Sequence, residues 1–74
     1  MPLIHVRAHT GRDMEAKKAM AQAIVKAASE VSGTPETAFS VVYEDVDRDN
    51  WEKEVNPILD PIRDKMLIHH GELL

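Results

Sequence analysis

Hydrophobic and polar positions alternate along residues 2–9, and this period of two predicts a β-strand with one apolar face. The apolar face comprises Ile4, Val6 and Ala8. The opposite face is mostly polar and comprises Leu3, His5, Arg7 and His9. The strand is expected to end at Thr10, because Gly11 permits a turn and Asp13 is a good N-cap for a following helix.

The pattern changes to helical spacing between Met14 and Ser32. Apolar residues recur on the side expected to pack against the strands: Ala16, Met20, Ile24, Ala27, Ala28 and Val31. A polar stripe lies opposite: Glu15, Lys18, Gln22, Lys26 and Ser29. Gly33 suits the C-terminal cap, and Pro35 prevents the helix from continuing.

A second strand is predicted from Phe39 to Asp45, where β-branched and aromatic residues dominate. Two strands joined by a helix form a βαβ unit, in which the strands run parallel. The predicted fold class is therefore α/β, with the sheet completed by a second copy of the chain. Two such copies are expected to form a four-stranded sheet with the helices on one face.

The C-terminal third has a mixed pattern. An acidic loop leads to apolar residues that recur at helical spacing from Trp51 onward. Pro57 and Pro61 interrupt this spacing, so we expect a kinked helix or two short helices. The tail over 68–74 has no pattern of its own, and we expect it to be ordered only by contact with a partner subunit.

The composition describes a single small domain over residues 1–74. A chain of this length buries only about 60% of its unfolded surface. It has no cysteine for a disulfide, so a homo-oligomer, most simply a dimer, is expected to stabilise it. The net charge of −4 argues against nucleic acid or an anionic membrane as a partner. We expect a cytoplasmic protein, because the sequence has neither a signal-peptide pattern nor a membrane-spanning run.

The histidines do not indicate a metal site. His5 and His9 share their strand face with Arg7, whose charge disfavours a bound cation, and His69-His70 have no fixed partner. Pro2 is a stronger candidate for chemistry, since removal of Met1 would leave it as a free secondary amine. An apolar pocket or a nearby cation favours the neutral, basic form of an amine. Proline is common at this position, and taken alone it is by default a residue without chemistry.

Taken in order, these features resemble the tautomerase superfamily, specifically 4-oxalocrotonate tautomerase-like proteins. The matching features are Pro2, the Gly11-Arg12 turn, the alanine-rich helix ending at Gly33, Thr34-Pro35, the second strand and Trp51. The resemblance runs from Pro2 to about Trp51. It implies that Pro2 is the catalytic base, that Arg12 holds a substrate carboxylate and that Trp51 lines the pocket.

Two features depart from the family pattern. The best-known members carry a second arginine early in the second strand, where this chain has Ser40. Its hydroxyl is a candidate hydrogen-bond donor to substrate. Those members also continue into a short β-hairpin, whereas the proline-interrupted segment after Trp51 resembles a smaller bacterial subgroup that forms dimers and not hexamers. The sequence is compatible with either assembly.

The resemblance implies a tautomerase that needs no cofactor or metal and moves a proton on a small enol or α-keto acid. Pro2 and Arg12 would be catalytic, and Ser40 and Trp51 would bind substrate. Two alternatives stay open. One is a hydratase-like dehalogenase or decarboxylase, in which Pro2 acts as a protonated acid and a carboxylate or Tyr43 activates water. The other is a non-catalytic oligomeric interaction subunit, which the serine at position 40 favours.

Overall fold

The computed structural model describes all residues from 1 to 74. The chain forms strand β1 (Leu3–His9), helix α1 (Met14–Ser32) and strand β2 (Ser40–Val46), with a 3-10 turn at Glu36–Ala38 before β2. The two strands pair in parallel, from Leu3 opposite Ser40 to His9 opposite Val46. The predicted βαβ unit and the α/β fold class are confirmed.

Both ends of α1 follow the predicted signals. The Asp13 carboxylate accepts a hydrogen bond from the Ala16 backbone N–H at 2.8 Å, which satisfies one of the unpaired donors of the first turn. Gly33 ends the helix with a φ of 74°, and its N–H donates to the Ser29 carbonyl at 3.0 Å. A residue with a side chain is strained at this left-handed position, so glycine is the favoured cap.

Strand β2 begins one residue later than predicted. Phe39 is not part of the strand, because its N–H donates to the Glu36 carbonyl and closes the preceding 3-10 turn. At the other end, Val46 pairs with His9, and its carbonyl accepts a hydrogen bond from the Thr10 N–H at 3.2 Å. The strand therefore extends to the start of the loop that leads toward Trp51.

The face of α1 that packs on the sheet agrees only in part with the predicted one, since Met20, Ile24 and Ala28 are half-buried. Ala16 and Ala27 are exposed and Val31 is 91% exposed, so these three assignments were wrong. The half-buried residues are Lys17, Met20, Ala21, Ile24, Val25, Ala28 and Ser29. Alanines occur on several sides of α1, so the apolar pattern of the sequence does not single out one packed face. Lys17 on this side of the helix forms an ion pair with Asp45 of β2.

The sheet has a different neighbour on each face. Lys17 of α1 lies 5.6 Å from the centre of the Tyr43 ring, so α1 covers the face that includes Tyr43 and Asp45. Alternation along β1 places Ile4, Val6 and Ala8 on this same face, and all three are half-buried. The C-terminal segment lies against the opposite face, where Trp51 contacts His9.

The segment after β2 is divided into short helical pieces, as predicted. A 3-10 turn at Arg48–Asn50 leads into α2 (Trp51–Glu54), which is followed by α3 (Asn56–Leu59) and a 3-10 segment at Asp60–Lys65. The breaks accompany the two prolines. Val55 separates α2 from α3 just before Pro57, and Ile62 after Pro61 leaves the helical region with a φ of −119° and a ψ of 19°.

The C-terminal tail forms a β-hairpin within the chain. Strands β3 (Ile68–His69) and β4 (Glu72–Leu73) pair in antiparallel fashion. The two turn residues, His70 and Gly71, have φ values of 50° and 81°, the left-handed geometry that suits a two-residue hairpin turn. The expectation that the tail is ordered only by a partner was therefore wrong. The expected contrast with hairpin-containing relatives also fails, since this chain has both the divided helix and a hairpin.

The isolated chain has very little interior. Val46, at 3% exposure, is the one buried residue. The accessible surface is 5989 Å², whereas a compact folded monomer of this mass exposes roughly 4,600 Å². The radius of gyration is 13.6 Å, against about 11 Å for a compact domain of this length. Large apolar side chains remain exposed on several elements, among them Leu3, Ile58, Leu67 and Leu73. None of the helices combines the length and apolarity needed to cross a bilayer.

Candidate functional site

Pro2 and Ser40 lie together at the amino end of the sheet. The Ser40 N–H donates a hydrogen bond to the Pro2 carbonyl at 3.1 Å, as part of the parallel pairing of Leu3 with Ser40. Pro2 is half-buried, whereas Met1 before it is fully exposed. The Ser40 side chain is exposed and makes no hydrogen bond within the chain. The structure thus brings these two predicted residues together.

Arg12 and Trp51 belong to the opposite, carboxyl end. Arg12 lies in the loop that follows β1, and Trp51 begins α2 after β2 ends. The rings of Trp51 and His9, the last residue of β1, are 4.5 Å apart between centroids and inclined by 54°. Trp51 is therefore half-buried against the sheet, while Arg12 is exposed.

The four predicted residues consequently form two separate groups within one chain. The seven residues of β1 lie between Pro2 and the Arg12 loop. A strand of this length spans roughly 20 Å, far beyond the reach of one small substrate. A single chain cannot hold a substrate between Pro2 and Arg12. The parallel strand pair keeps the two groups at its opposite ends.

The loop that carries Arg12 is held in place on both sides. The Thr10 hydroxyl donates to the Asp47 carboxylate at 2.8 Å, and the Thr10 N–H donates to the Val46 carbonyl. Gly11 has a φ of 142°, a left-handed conformation that favours glycine. Beyond Arg12, the Asp13 cap starts α1. Sequence reasoning did not identify Thr10 or Asp47, because two residues 37 positions apart show no local signal of their hydrogen bond.

A charged cluster lies on the sheet face opposite α1. The Glu44 carboxylate accepts from Arg7 Nε at 3.0 Å and lies 3.2 Å from His5 Nε2. The hydrogen bond from Arg7, followed by that from His5, holds the pKa of Glu44 below its usual value of 4.5. Because Glu44 already neutralises Arg7, this cluster does not present a free cation for an anionic ligand.

An open groove of about 260 Å³ borders this cluster on the same face. His5 and Arg7 form its floor, and apolar residues of the C-terminal segment form its wall: Val55, Ile58, Leu59 and Ile62. On the α1 side of the sheet, the Tyr43 hydroxyl is buried and has no hydrogen-bond partner. No group of three or more His, Cys, Asp or Glu side chains has the arrangement of a metal site.

A comparison with protein families matches residues 2–60 to the Tautomerase family, described as tautomerase enzymes. No curated protein and no solved structure gave a significant match. The matched segment begins at Pro2 and includes the whole βαβ unit, the Arg12 loop and Trp51. It extends through α3 and stops before the C-terminal hairpin. It covers well over half of the chain, which therefore belongs to the tautomerase family.

Proposed function

We propose that this protein is a cofactor-independent tautomerase in which Pro2, freed by removal of Met1, acts as general base on a small enol or α-keto acid. The observation that carries the proposal is the contrast between the first two residues. Met1 is fully exposed and lies outside β1, whereas Pro2 is half-buried and hydrogen-bonded to Ser40 through its carbonyl. Removal of Met1 would therefore free the Pro2 nitrogen without loss of strand pairing.

The proposed chemistry is a proton transfer. The neutral secondary amine of Pro2 takes a proton from the enol oxygen or from carbon, and the resulting ammonium returns it to the other position of the substrate. An arginine that pairs with the substrate carboxylate both orients the substrate and stabilises the negative charge that develops on the enolate. Arg12 fits this role, because its side chain is exposed and neither forms an ion pair nor donates a hydrogen bond.

The separation of the two groups requires a second chain. A twofold axis across the sheet edge would place the amino end of one sheet beside the carboxyl end of its partner. Pro2 and Ser40 of one protomer would then face the partner's Arg12 and the partner's Trp51. The excess of roughly 1,400 Å² of exposed surface over a compact monomer is consistent with a large interface for each chain. A homodimer is the smallest assembly that completes the site.

Ser40 sets the expected substrate. Its hydroxyl can donate one hydrogen bond beside Pro2, but it carries no charge to pair with a second carboxylate. A substrate with a single carboxylate, held by Arg12, is therefore favoured over a dicarboxylate. The hydratase-like alternative would need a carboxylate to activate water, because the Tyr43 hydroxyl is buried on the α1 side and is not available for this role.

Three forms of the protein test this proposal: the Met-free chain, Pro2→Ala, and a chain with one extra residue before Pro2. The Met-free form should tautomerise enol acids. Pro2→Ala keeps a primary amine and should retain part of the activity with a shifted pH optimum. The extended form has an amide in place of the amine and should be inactive. Circular dichroism checks that all three are folded, and mass spectrometry checks the N-terminus.

Equal activity of the extended and Met-free forms would remove Pro2 as the base. If the Met-free form has no activity with a panel of monocarboxylate and dicarboxylate enol acids, the protein is better described as a non-catalytic interaction subunit. Pro2→Ala serves as the matched control, since it changes the ring and leaves the terminal nitrogen unacylated.

A further inference from the structure

We infer that Asp47 is a positioning residue that joins the loop carrying Arg12 to the segment carrying Trp51. The hydrogen bonds of the structure support the placement of the two segments. The consequence for catalysis rests on the proposed function. The Asp47 carboxylate accepts from the Thr10 hydroxyl at 2.8 Å. Thr10 is two residues before Arg12, and Asp47 is four residues before Trp51.

The position of Asp47 in its own segment supports this role. It stands at the N-cap of the 3-10 turn Arg48–Asn50, where an aspartate normally accepts hydrogen bonds from the backbone of the turn. Its side chain makes no such bond. The carboxylate instead turns to Thr10 across the end of the sheet. Asp47 thus leaves its local cap unmade and forms a hydrogen bond between two loops.

Further contacts fix the surroundings of this link. The Thr10 N–H donates to the Val46 carbonyl, so Thr10 is held through both its backbone and its side chain. Lys17 in the first turns of α1 pairs with Asp45 of β2. The Arg12 loop is therefore attached to the end of β2 on both sides. Since β2 leads into the segment that carries Trp51, the same attachments relate Arg12 to Trp51.

The position of the Arg12 loop relative to Trp51 affects how tightly the substrate carboxylate binds. It does not alter the amine of Pro2 that acts as the base. A displacement of about 1 Å at a positioning group can lower a rate by about a hundredfold. Loss of the Thr10–Asp47 bond should lower kcat/KM by about ten- to a hundredfold, with a raised KM as part of the loss. The pH profile of kcat/KM should keep its shape, because the Pro2 amine that gives and takes the proton is retained in these variants.

The test compares variants that remove or retain the hydrogen bond. Thr10→Val and Asp47→Ala remove the donor or the acceptor, whereas Thr10→Ser and Asp47→Asn retain a hydroxyl and an amide oxygen. Asp49→Ala is the charge control, since Asp49 is exposed in the same loop and its carboxylate makes no hydrogen bond. The first pair should lose activity, and the other three variants should remain within about threefold of wild type.

Trp51, the single tryptophan, gives a second readout that needs no activity. Acrylamide quenching of Trp51 fluorescence should increase in Thr10→Val and Asp47→Ala and stay unchanged in the other three. The double variant Thr10→Val/Asp47→Ala should be no worse than either single one, because both remove the same bond. If the wild type is inactive while quenching follows this pattern, the proposed function fails and the link between the loops stands. Equal quenching in all variants, or additive losses in the double variant, would overturn the inference.

Discussion

Mixing two inactive variants should restore activity if each site takes Pro2 and Arg12 from different chains. One variant carries an extra residue before Pro2, and the other is Arg12→Ala. Each is defective at every site when it is alone. In a mixed assembly, a site receives an intact Pro2 from one chain and an intact Arg12 from the other. The physical basis is the length of β1, which holds these residues roughly 20 Å apart in one chain.

The expected magnitude follows from random assembly of equal amounts. Each site has a one-half chance of an intact Pro2 and an independent one-half chance of an intact Arg12, so about a quarter of sites recover. This fraction is the same for a dimer and a hexamer. Arg12→Ala alone should lose about 2–4 kcal/mol of transition-state stabilisation, which is about 30- to 1,000-fold in rate. The extended form should have no proline-dependent activity, so the mixture should exceed both parents clearly.

The assay is turnover of an enol acid after the two variants are unfolded together and refolded at micromolar concentration. Sedimentation of the mixture and of each parent confirms that they reach the same assembly. Refolding each parent separately and then combining them on ice gives the unexchanged control. Activity no greater than the sum of the parents would show that Pro2 and Arg12 do not act at one site from two chains.

Two further predictions concern stability. Val46→Ala should lower the free energy of unfolding by about 2 kcal/mol, because it removes buried apolar surface and leaves a cavity. Val31→Ala is the control at an exposed helix position and should change the free energy of unfolding by less than about 0.5 kcal/mol. Equal effects of the two substitutions in denaturant titration would contradict the assignment of Val46 to the core. The lowered pKa of Glu44 means that its ion pairs stabilise the fold above about pH 4.5 and that this contribution is lost as pH falls through the lower folded value. Glu44→Gln should therefore show a shallower loss of stability in acid than wild type, and parallel curves for Glu44→Gln and the exposed control Glu52→Gln would refute it.

The sequence was most informative where local rules decide the structure. Asp13 and Gly33 mark the ends of α1 because capping depends on the chemistry of a few neighbouring residues. The divided C-terminal helix follows from Pro57 and Pro61 for the same reason. The family resemblance assigned catalytic roles to Pro2 and Arg12. Composition and spacing alone do not assign a role to either residue.

The errors arose where tertiary contacts decide. The packed face of α1 includes Lys17, which pairs with Asp45, and the long lysine stem covers surface that a hydrophobicity pattern assigns to apolar residues. The hairpin was missed because His70 occupies the left-handed turn position where asparagine or glycine gives a recognisable signal. The distance between Pro2 and Arg12 within one chain follows from the length and direction of β1. The family resemblance names these two residues as site residues but does not give that distance.

The near absence of an interior has a thermodynamic consequence. A chain whose one buried residue is Val46 gains little free energy by folding alone. When such a chain buries its remaining apolar surface against another copy, folding and association become one equilibrium, and mass action governs both. The melting temperature then rises with protein concentration, and dilution removes native structure along with partners. For a protein of this kind, its concentration in the cell helps to set the fraction of molecules that are folded.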